Sequence, residues 1–144
     1  MNFRIATGQD IELIRHWYDE KEWMHIYFAA IDFDKVNMQI MEMIENRCTY
    51  LCVSGGEVVG GVGGVCMGTQ FTNDKIFMTM LLYLKQDYRP CVRDFFISLE
   101  VLLTSLGFTK LIISNPAGPN KEKMDRFYGI CGFTELETHY VKTL

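Results

Sequence analysis

Apolar residues along the chain recur with two different periods, and this predicts both strands and helices. Short runs that alternate or are apolar throughout predict six to seven strands, whereas apolar residues three and four apart predict helices. The strands are expected at 2–6, 49–54, 57–67, 75–84, 110–114 and 133–144. The helices are expected near 10–18, 34–45, 92–106 and 121–130, and the apolar segment 23–31 fits either an irregular helix or a packed loop.

Capping residues and glycines mark several element boundaries. Thr7 and Asp10 form a variant of the capping box before the first helix. Gly107 and Gly132 are expected to end the last two helices, because glycine adopts the backbone conformation that closes a helix. These signals agree with the apolar periods on either side of them.

Four glycines interrupt the strand expected at 57–67. Glycine weakens a strand interior, so such a run predicts a bulge or a surface where something approaches the backbone closely. Gly55 and Gly56 stand just before this strand and predict a tight hairpin turn from the strand at 49–54.

The order of the elements predicts the connections within the sheet. The segment 75–84 is apolar on both faces, so it should be a central strand covered on both sides. The helix at 92–106 and the strand at 110–114 would complete a right-handed parallel β-α-β unit, whereas the earlier hairpins are antiparallel. We therefore expect one domain, residues 1–144, of the α/β (α+β) class, with a mixed, mostly antiparallel sheet of six to seven strands and helices on both faces.

Composition excludes some function classes. The chain has 144 residues and a formal net charge of −4 without a basic block, which argues against a nucleic-acid partner. No apolar run reaches the roughly 18 residues of a membrane span, and the N-terminal segment MNFRIATGQD lacks the pattern of a signal peptide. We expect a cytoplasmic protein without a nucleic-acid or membrane partner.

The sulfur-containing residues suggest a reducing compartment and an apolar core. The five cysteines include no C-x-x-C pair and the three histidines are scattered, so we expect reduced, mostly buried thiols and no metal site. The cysteines are Cys48, Cys52, Cys66, Cys91 and Cys131. We expect the clustered methionines to lie in the core: Met38, Met41, Met43, Met78 and Met80.

The segment 85–96, KQDYRPCVRDFF, follows the central strand and opens a helix. A helix N-terminus offers free N–H groups and a partial positive charge, which together attract phosphate. Arg89 and Arg93 would add cationic side chains. Asp94 stabilises the helix start but opposes a bound anion. The segment therefore fits either an anion cradle or a plain helix start.

The element order and three segments resemble the GNAT fold of the acetyl-CoA-dependent N-acyltransferases. The motif F-Y-x-x-x-G-F, from Phe127 to Phe133, is similar to a pattern found near the family's C-terminus. The segment LYLKQDYR, 82–89, resembles the family's central strand where it enters a Y-R-G-x-G-x-G loop. The segment FRIATGQDIELI, 3–14, resembles the family's opening strand and helix. The resemblance covers nearly the whole chain and implies acetyl-CoA as cosubstrate.

The resemblance also implies which residues would bind acetyl-CoA. Backbone N–H groups near Leu84 and Lys85 would contact the thioester carbonyl. In the family pattern Arg/Gln-x-x-Gly-x-Gly/Ala, Arg89 takes the first position, while Val92 and Asp94 replace the two small residues. The implied cofactor-binding residues are Leu84, Lys85, Arg89, Pro90, Cys91, Val92, Arg93, Asp94 and Asn115.

Tyr128 is the catalytic residue that the resemblance implies, because the tyrosine of this motif often protonates the leaving thiolate in the family. The alternative is an aromatic residue that only packs against its neighbours. The family often has an asparagine seven residues before this tyrosine and an alanine three residues further on. Here Lys121 and Met124 occupy those positions, while Asn120 is one residue away and Asn115 follows the strand at 110–114.

No general base stands out. The candidates are Glu57, Asp74, His25 and His139. Cys131 lies beside Gly132 near the implied thiol channel, where a nucleophilic thiol and a structural thiol are both open.

Two functions from different classes remain open. The leading hypothesis is an N-acyltransferase that transfers an acetyl group from acetyl-CoA to an amine of a small molecule or a protein. The second is a non-catalytic GNAT-like module for assembly or protein binding, motivated by Val92 and Asp94 in the loop. A homodimer is compatible with this view, through the edge of the last strand or residues 17–28.

Overall fold

The computed structural model describes residues 1–19, 32–68, 70, 72–114 and 121–136. They form β1 (Asn2–Ile5), α1 (Ile11–Asp19), α2 (Phe33–Glu45), β2 (Thr49–Ser54), β3 (Glu57–Gly68), β4 (Lys75–Leu84), α3 (Val92–Ser105), β5 (Lys110–Ile112) and α4 (Lys121–Ile130). Two 3₁₀ helices, Gly8–Asp10 and Gln86–Cys91, precede α1 and α3. The chain forms two compact units, residues 1–114 and residues 115–144.

The strands of the first unit form one mixed sheet in the order β1-β2-β3-β4-β5. The first three pairings are antiparallel, and only β4 and β5 run parallel. This confirms the predicted mixed, mostly antiparallel sheet, including the parallel β-α-β unit built from β4, α3 and β5.

The number of strands is lower than predicted. The described residues contain five strands instead of six to seven. The predicted last strand at 133–144 is not a strand over residues 133–136, and the rest of it lies outside the described residues. The predicted irregular segment at 23–31 also lies outside them.

Helices cover both faces of the sheet, as predicted. On one face, α1 and α2 bury their apolar stripes against β2 and β4. The side chains of this core include Ile14, Trp17, Val36, Ile40, Met43, Leu51 and Leu81. On the other face, α3 contributes Phe95, whose ring lies 5.1 Å from that of Phe3 in β1. Burial of such stripes drives the packing of helix on sheet.

Two helix boundaries are set by local polar contacts. The Asp32 side chain accepts hydrogen bonds from the N–H groups of Asp34 and Lys35, so Asp32 is the N-cap of α2. After α2, Arg47 adopts a φ of 54°, in the left-handed region that favours glycine. The Cys48 N–H then donates to the Met43 carbonyl oxygen at 2.8 Å, which closes the helix end.

The N-terminal capping box forms as predicted and gains a cation. The Asp10 carboxylate accepts from the Thr7 N–H at 2.9 Å and from both terminal nitrogens of Arg4, at 2.7 and 2.9 Å. Hydrogen bonds from Arg4 lower the pKa of Asp10 to about 2, although burial of the carboxyl acts in the opposite direction. This cluster joins β1 to the start of α1.

Two expectations about burial are wrong. Cys48 and Cys52 are buried, but Cys66 and Cys91 are exposed and Cys131 is half-buried, so the thiols are not mostly buried. No disulfide joins any two of these five described cysteines. Among the five methionines predicted to lie in the core, only Met43 is buried, while Met38, Met41 and Met80 are exposed. Apolar periodicity identifies a core face only where another element covers it.

Candidate functional site

The glycines of β3 lie where other groups approach the backbone closely. A Cβ atom at Gly61 would lie 2.8 Å from the Trp17 ring, and one at Gly64 would lie 2.3 Å from the Met78 carbonyl oxygen. Distances under 3.0 Å do not occur for real Cβ atoms, so only glycine fits these positions. Both interpretations of the glycine run are correct, since other groups approach β3 closely and β3 itself contains a bulge. Cys52 pairs with Gly60 and Val53 pairs with Val58, which leaves Val59 as the extra residue.

A second bulge lies in β4. Gly63 pairs with Leu81 and Gly64 pairs with Thr79, which leaves Met80 as the extra residue. Such an insertion reverses the alternation of side chains and bends the strand. As a result Leu81 faces the α1 and α2 core, whereas Phe77 faces the opposite core, with its ring 5.4 Å from that of Phe108.

Beside this bulge, β4 parts from β5. In the described part of the chain their parallel ladder has three residue pairs and ends at Met78 and Ile112. The Thr79 hydroxyl donates to the Ile112 carbonyl oxygen at 3.1 Å and closes this end of the ladder. β4 continues to Leu84, still paired with β3. The last six residues of β4 therefore run beyond the end of the β5 ladder.

The direction of the backbone groups at the end of β4 follows from one hydrogen bond. The Lys85 N–H donates to the Val59 carbonyl oxygen in β3 at 2.9 Å. Successive N–H groups of an extended chain point to opposite edges. The Leu84 N–H is therefore directed away from β3, toward the side on which the β5 ladder has ended, while the Lys85 N–H is already bonded.

The segment after β4 is a 3₁₀ helix that leads directly into α3. The Tyr88 N–H donates to the Lys85 carbonyl oxygen at 2.9 Å, and the Val92 N–H donates to that of Arg89. Pro90 has no N–H. Tyr88, Pro90 and Val92 therefore offer no free backbone N–H group to an anion, whereas a glycine-rich loop would offer several.

The side chains of this segment carry mixed charges near the start of α3. Arg89 and Arg93 are exposed, and no ion pair holds either guanidinium within the residues that the structure describes. Asp94 is exposed in the first turn of α3, where the N-cap Cys91 makes no side-chain hydrogen bond. Arginine suits phosphate geometry, whereas the Asp94 carboxylate repels an anion.

Lys85 connects the end of β4 to the β2–β3 hairpin. Its Nζ atom lies 2.5 Å from Oε1 of Glu57. The Glu57 side chain is 60% exposed, so the pair contributes little to stability. Among the base candidates, Glu57 is thus held beside the end of β4. Asp74 instead accepts from the Thr109 and Thr72 hydroxyls, which lower its pKa.

In the second unit, the F-Y-x-x-x-G-F motif forms the C-terminal cap of α4. Gly132 has a φ of 87°, and the Phe133 N–H donates to the Tyr128 carbonyl oxygen at 2.9 Å. The Phe133 ring packs edge-on against the Tyr128 ring at 5.6 Å. This is the Schellman arrangement with its apolar contact, which explains why glycine and two aromatic residues recur at this spacing.

Tyr128 is half-buried, and its phenol stays protonated over a wide pH range. Burial raises the pKa of Tyr128 to about 12, with smaller contributions from the charges of Asp125 and Cys131. A protonated phenol can donate a proton. Tyr128 can therefore serve chemically as a proton donor. It also packs against its neighbours, so both roles considered for it from the sequence fit the structure.

Some of the residues predicted to lie in or near the site are not among those that the structure describes. Asn115, Asn120, His25 and His139 lie outside the described residues. The residues from Leu84 to Asp94 are brought together by the first unit, whereas Tyr128 belongs to the second.

The sequence prediction missed Thr79 and Met80. Thr79 closes the β4–β5 ladder and Met80 is the extra residue of the bulge, so both lie where the pairing of β4 with β5 ends. Thr79 is the only residue with an aliphatic hydroxyl in the apolar run KIFMTMLLYL, and this was the signal that could have marked it. No helix in the described residues is long and apolar enough to cross a membrane.

Solved structures of acetyltransferases share this fold. A possible acetyltransferase from Clostridium difficile 630 matches with a TM-score of 0.74 at 12% identity, covering 99% of this chain and 96% of that one. A ribosomal-protein-alanine N-acetyltransferase from Brucella melitensis biovar Abortus 2308 matches with 0.68 at 13%, covering 99% and 100%. An aminoglycoside acetyltransferase from an uncultured soil metagenomic sample, in complex with sisomicin, matches with 0.68 at 11%, covering 99% and 95%.

No family model and no curated protein matches the chain. At these identities the structural likeness concerns the fold, and it extends over the whole chain. The chain has the GNAT fold, so the resemblance predicted from the three sequence segments is confirmed.

Proposed function

We propose that the protein is an N-acyltransferase that transfers an acetyl group from acetyl-CoA to an amine of a small molecule or a protein. The observation that carries this proposal is the parting of β4 from the β5 ladder at Met78, next to the bulge at Met80. We propose that the thioester arm enters an opening beside this part of β4, because the GNAT resemblance implies a splay of two strands beside the thioester.

The Leu84 N–H supports the proposal because it is directed toward this opening. A fixed backbone donor stabilises the negative charge that develops on the carbonyl oxygen when an amine attacks the thioester. Such a donor needs no reorganisation during the reaction, since the strand already holds it. Lys85 takes part through its position at the end of β4 and not through its own N–H, because that N–H is already bonded to the Val59 carbonyl oxygen.

The phosphate end of acetyl-CoA fits the protein less completely. The guanidinium groups of Arg89 and Arg93 and the N-terminus of α3 suit a pyrophosphate. Asp94 opposes it, and the backbone donors of Tyr88 and Val92 are used within the 3₁₀ helix. Phosphate binding in the proposed site thus relies on side chains, with Pro90 and Cys91 shaping the turn between them.

Tyr128 is the proposed proton donor to the thiolate that leaves. Acetyl-CoA supplies an activated acetyl group as a thioester. A phenol with a pKa of about 12 remains protonated at neutral pH and can donate when the thiolate forms. The proposal requires Tyr128 to reach the sulfur, so residues 1–144 would act as one domain.

The acceptor is proposed by class only. Two of the similar structures are named for acetyl transfer to aminoglycosides and to the alanine of a ribosomal protein, and both acceptors are amines. The net charge of −4 favours the approach of a cationic amine. We propose that the reaction takes place in the cytoplasm, where the free thiols of the chain stay reduced.

The direct test measures acetyl transfer to a panel of amines by the wild type and by Tyr128→Phe. Chromatographic detection of free CoA is needed, since the exposed Cys66 and Cys91 would consume a thiol reagent. We expect Tyr128→Phe to lower kcat by about 100-fold and to leave acetyl-CoA binding unchanged. Tyr50→Phe is the control, because burial also raises the pKa of Tyr50 to about 12 but this tyrosine lies in the sheet core.

Two results of this test would contradict parts of the proposal. Absence of turnover with every amine, in a protein that binds acetyl-CoA, would limit the proposal to cofactor binding. Equal turnover by the wild type and Tyr128→Phe would remove Tyr128 from the mechanism. The wild-type rate should not fall through loss of the Tyr128 proton until the pH approaches 12, because only then does the phenol ionise.

A second candidate function is a non-catalytic module for assembly or protein binding. It is favoured by one observation, namely that the segment before α3 bonds the N–H groups of Tyr88 and Val92 internally. This alternative predicts no affinity for CoA and a stable oligomer, with a homodimer as the simplest form. Light scattering during gel filtration, combined with a CoA titration, separates the two functions.

A further inference from the structure

Two of the five cysteines approach each other across the β2–β3 hairpin. The Gly64 N–H donates to the Cys48 carbonyl oxygen at 2.9 Å, which extends the β2–β3 pairing by one step beyond Thr49 and Gly63. Cys48 therefore lies opposite Gly64, and Cys66 stands two residues further along the same strand. The two cysteines are diagonal neighbours on adjacent strands.

The two side chains are on the same face of the sheet. Directly opposite residues share a face, and so do residues two apart on one strand. The aromatic contacts agree with this assignment. Phe77 pairs directly with Cys66, and its ring lies 5.8 Å from that of Tyr50, which stands two residues after Cys48. The Phe77 ring covers Gly64, and the Cys66 N–H donates to the Cys48 sulfur, so the Cys48 side chain reaches directly to Cys66.

The thiols differ in exposure, which sets their chemical roles. Cys66 is exposed, whereas Cys48 is 4% exposed and its sulfur donates to the Asn46 carbonyl oxygen at 3.4 Å. Burial raises the pKa of Cys48, and the negative charge of Cys66 raises it further, while the Cys66 N–H partly offsets both. The exposed thiol is accessible to a small oxidant, and the buried one is placed to attack second.

We propose that Cys48 and Cys66 form a reversible disulfide when the thiol pool becomes oxidising. The Cys66 thiolate attacks oxidised glutathione, forms a mixed disulfide and releases one glutathione thiolate. The Cys48 thiolate then attacks the Cys66 sulfur of that mixed disulfide and releases the second glutathione. Two protein thiols are oxidised to one disulfide, and one glutathione disulfide is reduced to two thiols.

The proposed bond would act beside the opening in the sheet. It would link Cys48, which lies opposite Gly64, to Cys66, two residues after Gly64 in β3. Gly64 pairs with Thr79 at the β4 bulge. Closing the segment between Cys48 and Cys66 constrains the unfolded chain, so oxidation should raise Tm by about 5–10 °C. This inference does not rest on acetyl transfer, because its readouts are masses and melting temperatures.

The test equilibrates the reduced protein with glutathione buffers of increasing oxidised fraction. Samples are denatured and alkylated, and their intact masses are measured. We expect the reduced form to carry five alkyl groups and the oxidised form to carry three, since 5 − 2 = 3. Cleavage after Glu57 separates Cys66 from Cys48, and cleavage after Tyr50 separates Cys48 from Cys52, so the linked pair can be identified.

Two variants decide the result. Cys66→Ser, at an exposed position where the fold should tolerate it, should retain all four remaining thiols and show no rise in Tm. Cys91→Ser, which removes the other exposed thiol, should still form the bond. The proposal would be overturned by a disulfide that involves Cys52, Cys91 or Cys131. It would also be overturned if Cys66 remained in a mixed disulfide with glutathione at every ratio while Cys48 stayed a thiol.

Discussion

The β3–β4 pair and the segment 85–94 lie next to each other, but they keep different parts of the GNAT pattern. The strand pair has the bulge at Met80, the closely approached glycines and the early end of the β5 ladder. The segment 85–94 has Val92 and Asp94 in place of small residues, and its helical turn bonds its own N–H groups.

This difference separates two kinds of structural requirement. The strand geometry depends on backbone packing, so one added methyl group at Gly64 would disturb it. The proposed anion-binding role of segment 85–94 depends on charge and free donors, which can change without disturbing the fold. A protein with this fold can therefore keep the geometry of the β3–β4 pair while the charges and donors of the next segment change.

The largest expected effect comes from Gly64→Ala. The new Cβ would meet the Met78 carbonyl oxygen and the Phe77 ring, so the strands must shift. We expect a loss of about 2–3 kcal/mol in the free energy of unfolding, measured by urea denaturation. Gly68→Ala is the matched control, since a Cβ there meets nothing within 4 Å. Equal stability of the two variants would contradict the close approach.

The next effect concerns the Arg4–Asp10 pair, which stabilises the sheet at β1. The folded-state pKa of Asp10 is about 2, against 3.8 in its ordinary state. A carboxyl group whose pKa is lowered by folding stabilises the fold above pH 3.8. This stabilisation is lost as the pH falls toward 2. Because the Arg4 side chain is 45% exposed, we expect Asp10→Asn to cost about 1–2 kcal/mol at pH 7.

Denaturation at several pH values checks this prediction. The difference between the wild type and Asp10→Asn should shrink below pH 4 and nearly vanish at pH 2. Glu12→Gln is the control, since the Glu12 side chain is 69% exposed in its pair with Arg15 and its removal should cost under about 0.5 kcal/mol. A pH-independent difference for Asp10→Asn would assign the loss to packing alone.

Asp94→Asn sharpens the comparison at segment 85–94. Removing the negative charge should strengthen acetyl-CoA binding by about 3–10-fold at low salt and less at high salt. The same change should lower the stability of α3 by about 0.3–1 kcal/mol, because Asp94 favours the helix N-terminus. Stronger acetyl-CoA binding together with lower stability of α3 would identify a lost repulsion. A general stabilisation of the fold would instead raise both quantities.

Calorimetric titration of both proteins gives the two affinities. Glu100→Gln, an exposed acid further along α3, should leave the affinity unchanged. Weaker binding by Asp94→Asn would mean that the carboxylate positions Arg89 or Arg93 and does not repel the ligand.

The smallest expected effect is a gain in stability at Arg47. Its φ of 54° suits glycine, so Arg47→Gly should stabilise the protein by about 0.5–1 kcal/mol. Asn46→Gly, at a φ of −76°, should not stabilise it. A thermal melt of the two variants side by side measures the difference, and a loss in Arg47→Gly would point to contacts of the arginine side chain.

The sequence predicted those features that depend on local signals. Helix 121–130 has the predicted bounds, and Thr7 with Asp10 and Gly132 act as the predicted caps. The glycine run was correctly interpreted as a bulge, which lies at Val59, and a close approach. Each of these features depends on neighbouring residues in the chain, so the chain order is sufficient to find them.

Features set by pairing between distant residues were not predictable in the same way. The bulge at Met80 depends on which β3 residue faces Thr79, and the end of the ladder depends on Ile112. The exposure of Cys66 was missed because β2 covers only part of β3. Apolar character shows that a residue can be buried, whereas the register decides whether it is.

The central claim is that the opening beside β4 binds acetyl-CoA, and calorimetric titration with acetyl-CoA tests it most directly. We expect saturable binding at one site, and at about 100 times the dissociation constant a stabilisation of roughly 2.7 kcal/mol. For a chain of this size the matching rise in Tm is about 5–10 °C. Absence of both heat and stabilisation at millimolar acetyl-CoA would contradict the claim and favour the non-catalytic module.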